Sequence, residues 1–293
     1  MVPSVCELYA GPNSPCNQGE FTGSQLQIAS GLDIHSSISD ILRTLLRFSG
    51  TALVEPNKPS YLYPGVTFMW IKICGITNCD DAATVVDTQA DAIGLNFYPK
   101  SKRYVAAETA RRIADMVQRR VELVGVFVNA PLTDITQLVE DVGLTAVQFH
   151  GDEQPNDIQQ FQELCPTIPV IRAFRVGPET AGFAEQIQKY NDLLPPLNAA
   201  LADAWSADEY GGTGQTVSSR LLDGHQHLTS RLILAGGLTA ANVSEAINAI
   251  HPWGVDTASG VESTPGIKSA DLVRSFVTAC RNTVPNDPPC QMV

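Results

Sequence analysis

The stretch Trp70–Phe97, WIKICGITNCDDAATVVDTQADAIGLNF, decides the fold, because two short apolar runs, Ile71–Cys74 and Ala92–Phe97, flank a longer segment of helical period. That is a βα repeat, and it recurs along the chain. The later runs are Leu123–Val128, Ala146–His150, Val170–Phe174, Ala199–Ala204, Leu232–Ala235 and Gly254–Thr257, eight strands in all. Between them lie amphipathic segments such as Ala107–Arg120, Thr133–Val142 and Asn242–Ile250, with Asp271–Cys280 closing the series. Eight units in series predict an α/β protein with a closed (β/α)8 (TIM) barrel. An open doubly wound sheet more often has about five or six strands.

Outward from this core the pattern changes. Residues 1–68 are rich in Ser, Pro, Gly and Asn, and only Ile38–Phe48 has a helical spacing of apolar residues. Such a segment buries too little apolar surface to offset its ordering entropy. It reads as a poorly structured N-terminal extension outside the barrel, whose expected span is 69–283; a start at Met69 is the alternative. Residues 284–293 read as a C-terminal tail.

The 293 residues, 44% hydrophobic and 17% charged, are ordinary globular composition. A net charge of −12 repels nucleic acid and anionic lipid, so neither is an expected partner, whereas a small phosphorylated substrate captured by local N–H groups is compatible with it. Seven scattered cysteines (Cys6, Cys16, Cys74, Cys79, Cys165, Cys280 and Cys290) do not form a disulfide framework, and no Cys/His spacing predicts a metal site. The N-terminus lacks a basic-then-apolar export signal and no apolar run reaches membrane length. A reducing, cytoplasmic setting is the simplest expectation, with a monomer or homodimer left open.

Strand parity then locates the chemistry, which in this architecture collects at the carboxyl ends of the strands. Lys72 and Cys74 share the face opposite Ile71 and Ile73, and therefore point into the barrel. The same parity pairs Gln148 with His150, Leu201 with Asp203 and Gly94 with Asn96, delivering several polar groups to one mouth. Buried polar groups cost stability unless hydrogen-bonded or used, so the mouth is a site candidate. Glycine-rich loops follow the sixth, seventh and eighth strands: Tyr210–Gly214, Gly236–Gly237 and Ser259–Gly260. Each alone reads as a tight turn; the last two stand where this fold commonly binds phosphate.

Several of these motifs together resemble the phosphoribosylanthranilate isomerases of tryptophan biosynthesis. They are Lys72–Thr77 (KICGIT), Asn96–Tyr104 (NFYPKSKRY), Gly125–Asn129, Gln148–Glu153 (QFHGDE), Asp203 ahead of Tyr210–Gly214 (YGGTG), Gly236–Leu238 and Ser259–Glu262, in unbroken order over about Trp70–Cys280. The resemblance implies an Amadori rearrangement without cofactor or metal. Its roles fall on Asp203 as general acid, Cys74 as general base and Arg103 as the clamp on the anthranilate carboxylate, with phosphate held by Gly212, Gly236, Gly237, Ser259 and Gly260.

Cys74 needs help to ionise, and Lys72 is a candidate; Asp203 must keep its proton, for which a dry pocket or a neighbouring carboxylate such as Asp256 is the expected device, although Asp256 reads better as a structural group orienting loops. His150 reads as a structural member of the mouth, and Lys100 and Lys102 as solvated charges. Two departures from the family pattern, Ala258 for a serine and Gln215 for a lysine, predict weaker substrate binding with chemistry intact. The related isomerase of histidine biosynthesis is disfavoured by a cysteine where that enzyme places an aspartate. A barrel that only senses a phosphate ligand would need neither Cys74 nor Asp203.

Overall fold

The computed structural model describes residues 69–177, 182–204 and 231–283. The expected extension (1–68) and tail (284–293), the loop Tyr210–Gly214 with its Gly212, and Gln215 lie outside these residues. Within them, β1 (Trp70–Cys74), β2 (Ala92–Asn96), β3 (Glu122–Phe127), β4 (Ala146–Phe149), β5 (Val170–Val176), β6 (Ala199–Ala204), β7 (Leu232–Ala235) and β8 (Gly254–Thr257) form a closed parallel barrel. Closure is direct, with Lys72 of β1 in register with Asp256 of β8.

The described helices are α1 (Cys79–Asp87), α2 (Ala107–Val117), α3 (Leu132–Val142), α4 (Pro155–Leu164), α5 (Phe183–Gln188), α6 (Val243–Ile250) and α7 (Ala270–Asn282). A short antiparallel pair, β9 (Glu262–Thr264) and β10 (Ile267–Lys268), sits between β8 and α7. Local chemistry sets the ends. Asn78 caps α1 by accepting from the Asp81 N–H at 2.8 Å, and Gly143 takes the left-handed conformation after α3. Helix α2 ends at Val117 rather than Arg120 because Gln118 and Arg119 both adopt positive φ. Strand β5 runs on to Val176, beyond the expected Phe174, because β6 continues to pair with it through Val176↔Ala204.

Alternation divides the apolar residues into two cores. Trp70, Val124, Ile171, Leu201 and Ile233, with alanines between them, fill the barrel, while Ile71, Ile73, Leu95, Val147 and Phe149 face the helices. The amino-terminal end of the barrel is shut by Trp70 stacked on Trp253, centroids 5.2 Å apart. Beside it Arg281 donates to the carbonyls of Met69 and Gln89 and to Asp91 Oδ2, tying α7 to the start of β1. No helix among the described residues is long and apolar enough to cross a membrane.

Candidate active site

At the opposite end, the carboxyl ends of the strands enclose a cavity of about 360 Å³. Cys74, the last residue of β1, reaches it by inward parity, and Gly94 on β2 makes the room. A Cβ there would lie 2.6 Å from Cys74 Sγ, so any side chain on Gly94 would displace the thiol. Asp203 arrives from β6, three strands away around the closed sheet, and lines the same cavity. Thus the structure brings these two residues together across one mouth.

Lys72, wholly buried one inward step below Cys74, forms an ion pair with Asp256 at 2.8 Å. Burial works to lower the Lys72 pKa, but Asp256 and Cys74 prevail and hold it above its ordinary value, so the ammonium persists. Burial pushes the Cys74 thiol up, and Lys72 offsets only part of that. Asp256 is therefore the counter-ion of Lys72, and the hydrogen-bond partner of Asp203 is not this carboxylate. It is His150, whose Nε2 lies 3.1 Å from Asp203 Oδ2. The other face of the same ring is met by Gln148 Nε2 at 2.8 Å from Nδ1.

Arg103 lines the cavity, and its Nε and Nη2 donate to Glu262 at 2.7 and 2.8 Å in a two-point clamp. Lys268, which the sequence reading passed over, is buried beneath: it bonds Glu262 at 2.9 Å and the Ala258 carbonyl at 3.0 Å. Burial opposes the charge of Glu262, but Arg103 and Lys268 hold its carboxyl below the usual range. Position alone offered no signal for Lys268, because β10 is only two residues long. Lys100 and Lys102, expected to be solvated, are exposed and nevertheless line the cavity.

The far wall carries Gly236 and Gly237, both at positive φ after β7, and Ser259, which opens a single 3-10 turn after β8. Gly260 sits behind Ser259, where a Cβ would run into the Leu238 carbonyl oxygen, so only glycine allows the two loops to touch. Thr257 reinforces the contact by donating to that same oxygen at 2.7 Å. Of the other cysteines, Cys280 is buried and its thiol pushed up to about 12, in keeping with a packing role.

Against known families, the model of N-(5'-phosphoribosyl)anthranilate (PRA) isomerase matches residues 71–279, from β1 into α7. The chain belongs to the phosphoribosylanthranilate isomerase family. An N-(5'-phosphoribosyl)anthranilate isomerase of Pelobacter propionicus is 40% identical over 215 residues, 73% of this chain and 96% of that one. The phosphoribosyl anthranilate isomerase of Thermotoga maritima is similar in structure, with a TM-score of 0.66, 36% identity, and 73% of this chain and 99% of that one covered. A related structure, of such an isomerase in complex with reduced 1-(o-carboxyphenylamino)-1-deoxyribulose 5-phosphate, has a TM-score of 0.63 at 36% identity, again covering 73% and 99%. The isomerase barrel of this chain thus spans nearly the full length of its relatives, and residues 1–68 precede it.

Proposed function

We propose that the chain converts N-(5-phosphoribosyl)anthranilate to 1-(2-carboxyphenylamino)-1-deoxyribulose 5-phosphate by acid and base catalysis, with Asp203 and Cys74 as the two catalytic residues. The observation that carries this reading is their joint presence in one cavity whose far wall is made of the Gly236–Gly237 and Ser259 loops. Asp203 donates a proton to the furanose ring oxygen; the C1–O bond breaks and the anilino nitrogen lone pair forms the iminium. Cys74, as thiolate, removes the C2 proton. The released electron pair makes the C1–C2 double bond and neutralises the iminium, and the enol then tautomerises to the ketone.

Three features of the mouth serve this sequence. The Lys72 ammonium stabilises the thiolate that burial opposes, and the iminium cation adds a second positive charge when substrate is bound. Arg103, locked by Glu262, offers a fixed cation for the anthranilate carboxylate. Backbone groups of Gly236, Gly237, Ser259 and Gly260 take the phosphate, and Gly212, outside the described residues, is assigned to it by the family resemblance alone. Lys100 and Lys102 add positive potential around an opening in a chain of net charge −12.

The reaction needs no cofactor, and the free thiol it requires fits a reducing compartment such as the cytoplasm. The catalytic unit is residues 69–283, acting as a monomer or homodimer. The direct test is the fluorescence of phosphoribosylanthranilate mixed with the full chain and nothing else. The isomerase reading expects the signal to disappear catalytically; a perturbation that saturates at one equivalent would mark a ligand-binding barrel instead.

A further inference from the structure

We infer that Gln148 and His150 are a positioning pair that decides which oxygen of Asp203 carries the acid proton. The inference rests on the reading of Asp203 as the acid and goes one step behind it. Gln148 is completely buried inside β4, and His150 stands two residues on with the same inward parity. The amide nitrogen has hydrogens and no free lone pair, so at 2.8 Å from Nδ1 it donates, and Nδ1 must accept. The single proton of a neutral imidazole then sits on Nε2, which is the atom facing Asp203 Oδ2 at 3.1 Å.

Two consequences follow for the acid. Because Oδ2 already accepts from Nε2–H, the proton of a neutral Asp203 belongs on Oδ1, the oxygen left for the sugar ring. Once that proton has gone, the same hydrogen bond becomes charge-assisted and strengthens, which favours the transfer. Rotating the Gln148 amide by half a turn would reverse all of this. Its carbonyl would demand a proton on Nδ1, the Nε2 lone pair would face Oδ2, and the acid proton would be held between aspartate and histidine.

The backbone that carries the ring is held in place from behind. The His150 N–H donates to the Phe127 carbonyl at 2.8 Å, and buried Arg172 donates to the carbonyls on either side of His150, Phe149 at 3.0 Å and Gly151 at 3.1 Å. Arg172 is in turn bonded to Glu153, which accepts from the Gly151 N–H at 2.9 Å. Gln148 Oε1, by contrast, has no hydrogen-bond partner among the described residues. A buried amide with one unpaired end is an uneconomical way to fill a barrel; it is accounted for if the other end has a task.

The test begins with the full chain, uniformly labelled with 15N, and the ring nitrogens of His150 assigned by their loss in His150→Asn. The expected spectrum has a protonated Nε2 and an unprotonated Nδ1; the opposite tautomer in the wild-type chain overturns the inference without reference to activity. Gln148→Glu should move the proton to Nδ1 and lower kcat by about tenfold to a hundredfold, a part of what acid catalysis and a correct tautomer supply, with KM within about twofold. Gln148→Met, which buries no charge and leaves the ring free to choose, should mix the tautomers and fall between the two. Wild-type kcat in both variants overturns the inference, as does a loss that appears equally in KM and kcat with the tautomer unmoved. Asp203→Asn separates the two claims: if it turns over normally the acid assignment itself fails, whereas if it is inactive beside normal Gln148 variants only the positioning role fails.

Discussion

At the amino-terminal end of the barrel, Trp70 and Trp253 stack over the opening and Arg281 meets two carbonyls and a carboxylate. At the carboxyl end, the same strands present Cys74, Asp203 and Asp256 to a cavity, with Lys72 and Gln148 buried inside the barrel, and Gln148 Oε1 and Asp256 Oδ1 have no hydrogen-bond partner among the described residues. One end is closed with apolar surface and satisfied polar groups, whereas the other keeps charged groups at close quarters. The difference teaches where stability and chemistry are separated in this fold: a substitution below should cost folding energy, and one above should cost rate.

The strongest way to break that division is at the mouth. Cys74→Ser and Asp203→Asn should each lower kcat by about 10² to 10⁴, with thermal unfolding close to wild type. Either variant turning over at the wild-type rate in the fluorescence assay would remove that residue from the mechanism. Trp70→Ala probes the opposite end: a loss of about 3–5 kcal/mol in urea unfolding is expected, with kcat and KM unchanged while the protein remains folded. A catalytic defect at a temperature where Trp70→Ala is fully folded would show that the two ends are coupled.

Arg103→Met sharpens the picture of the mouth itself. Losing a charged hydrogen-bond pair to substrate should reduce kcat/KM by about tenfold to a hundredfold, mostly through KM. An unchanged KM would mean that Arg103 serves only Glu262. The pH dependence bears on Lys72 and Cys74. The buried thiol lies above its ordinary value in spite of Lys72, and a base works only when deprotonated. In the free enzyme, the rate at which iodoacetamide alkylates Cys74, taken as the difference from Cys74→Ser, should therefore climb with pH through the alkaline range, above about 8.5, and a rate flat there would contradict the raised thiol.

The smallest expected effect contrasts carboxylates at the two ends. Glu262 at the mouth has a lowered pKa, so the stability it contributes is present above the unfolded carboxylate value of about 4.3 and is lost as pH falls through its folded value. Asp91 and Glu122 near the closed end are raised, chiefly by burial, so their contribution is present at low pH and is lost as pH rises through their folded values. Urea midpoints at neutral and acid pH should show less acid destabilisation in Glu262→Gln and more in Glu122→Gln than in wild type. Identical pH dependence in all three would break the contrast.

Much of the mouth was legible because strand parity is a local rule. Lys72 with Cys74, Gln148 with His150, and Leu201 with Asp203 all point inward as the alternation predicts, and Gly236, Gly237 and Ser259 reach the cavity wall by following their strands. Partnerships across the barrel were not legible. Nothing in the spacing couples residue 72 to 256, 150 to 203, or 103 to 262, since each pair joins segments far apart in sequence. Asp256 was accordingly considered as a neighbour for Asp203 and proved to be the counter-ion of Lys72, and His150, set aside as structural, proved to be the residue in contact with the acid.

The sequence alone determined the repeat of strand and helix, the number of barrel strands, the face of the barrel on which their side chains stand and the family to which the chain belongs, because these depend on near neighbours and on motif order. Which charge neutralises which, which oxygen and which ring nitrogen meet, and how much of a thiol's acidity survives burial were decided only when eight strands closed on one another. Electrostatic and hydrogen-bond energies depend on distances of a few ångströms between residues that the linear chain holds far apart.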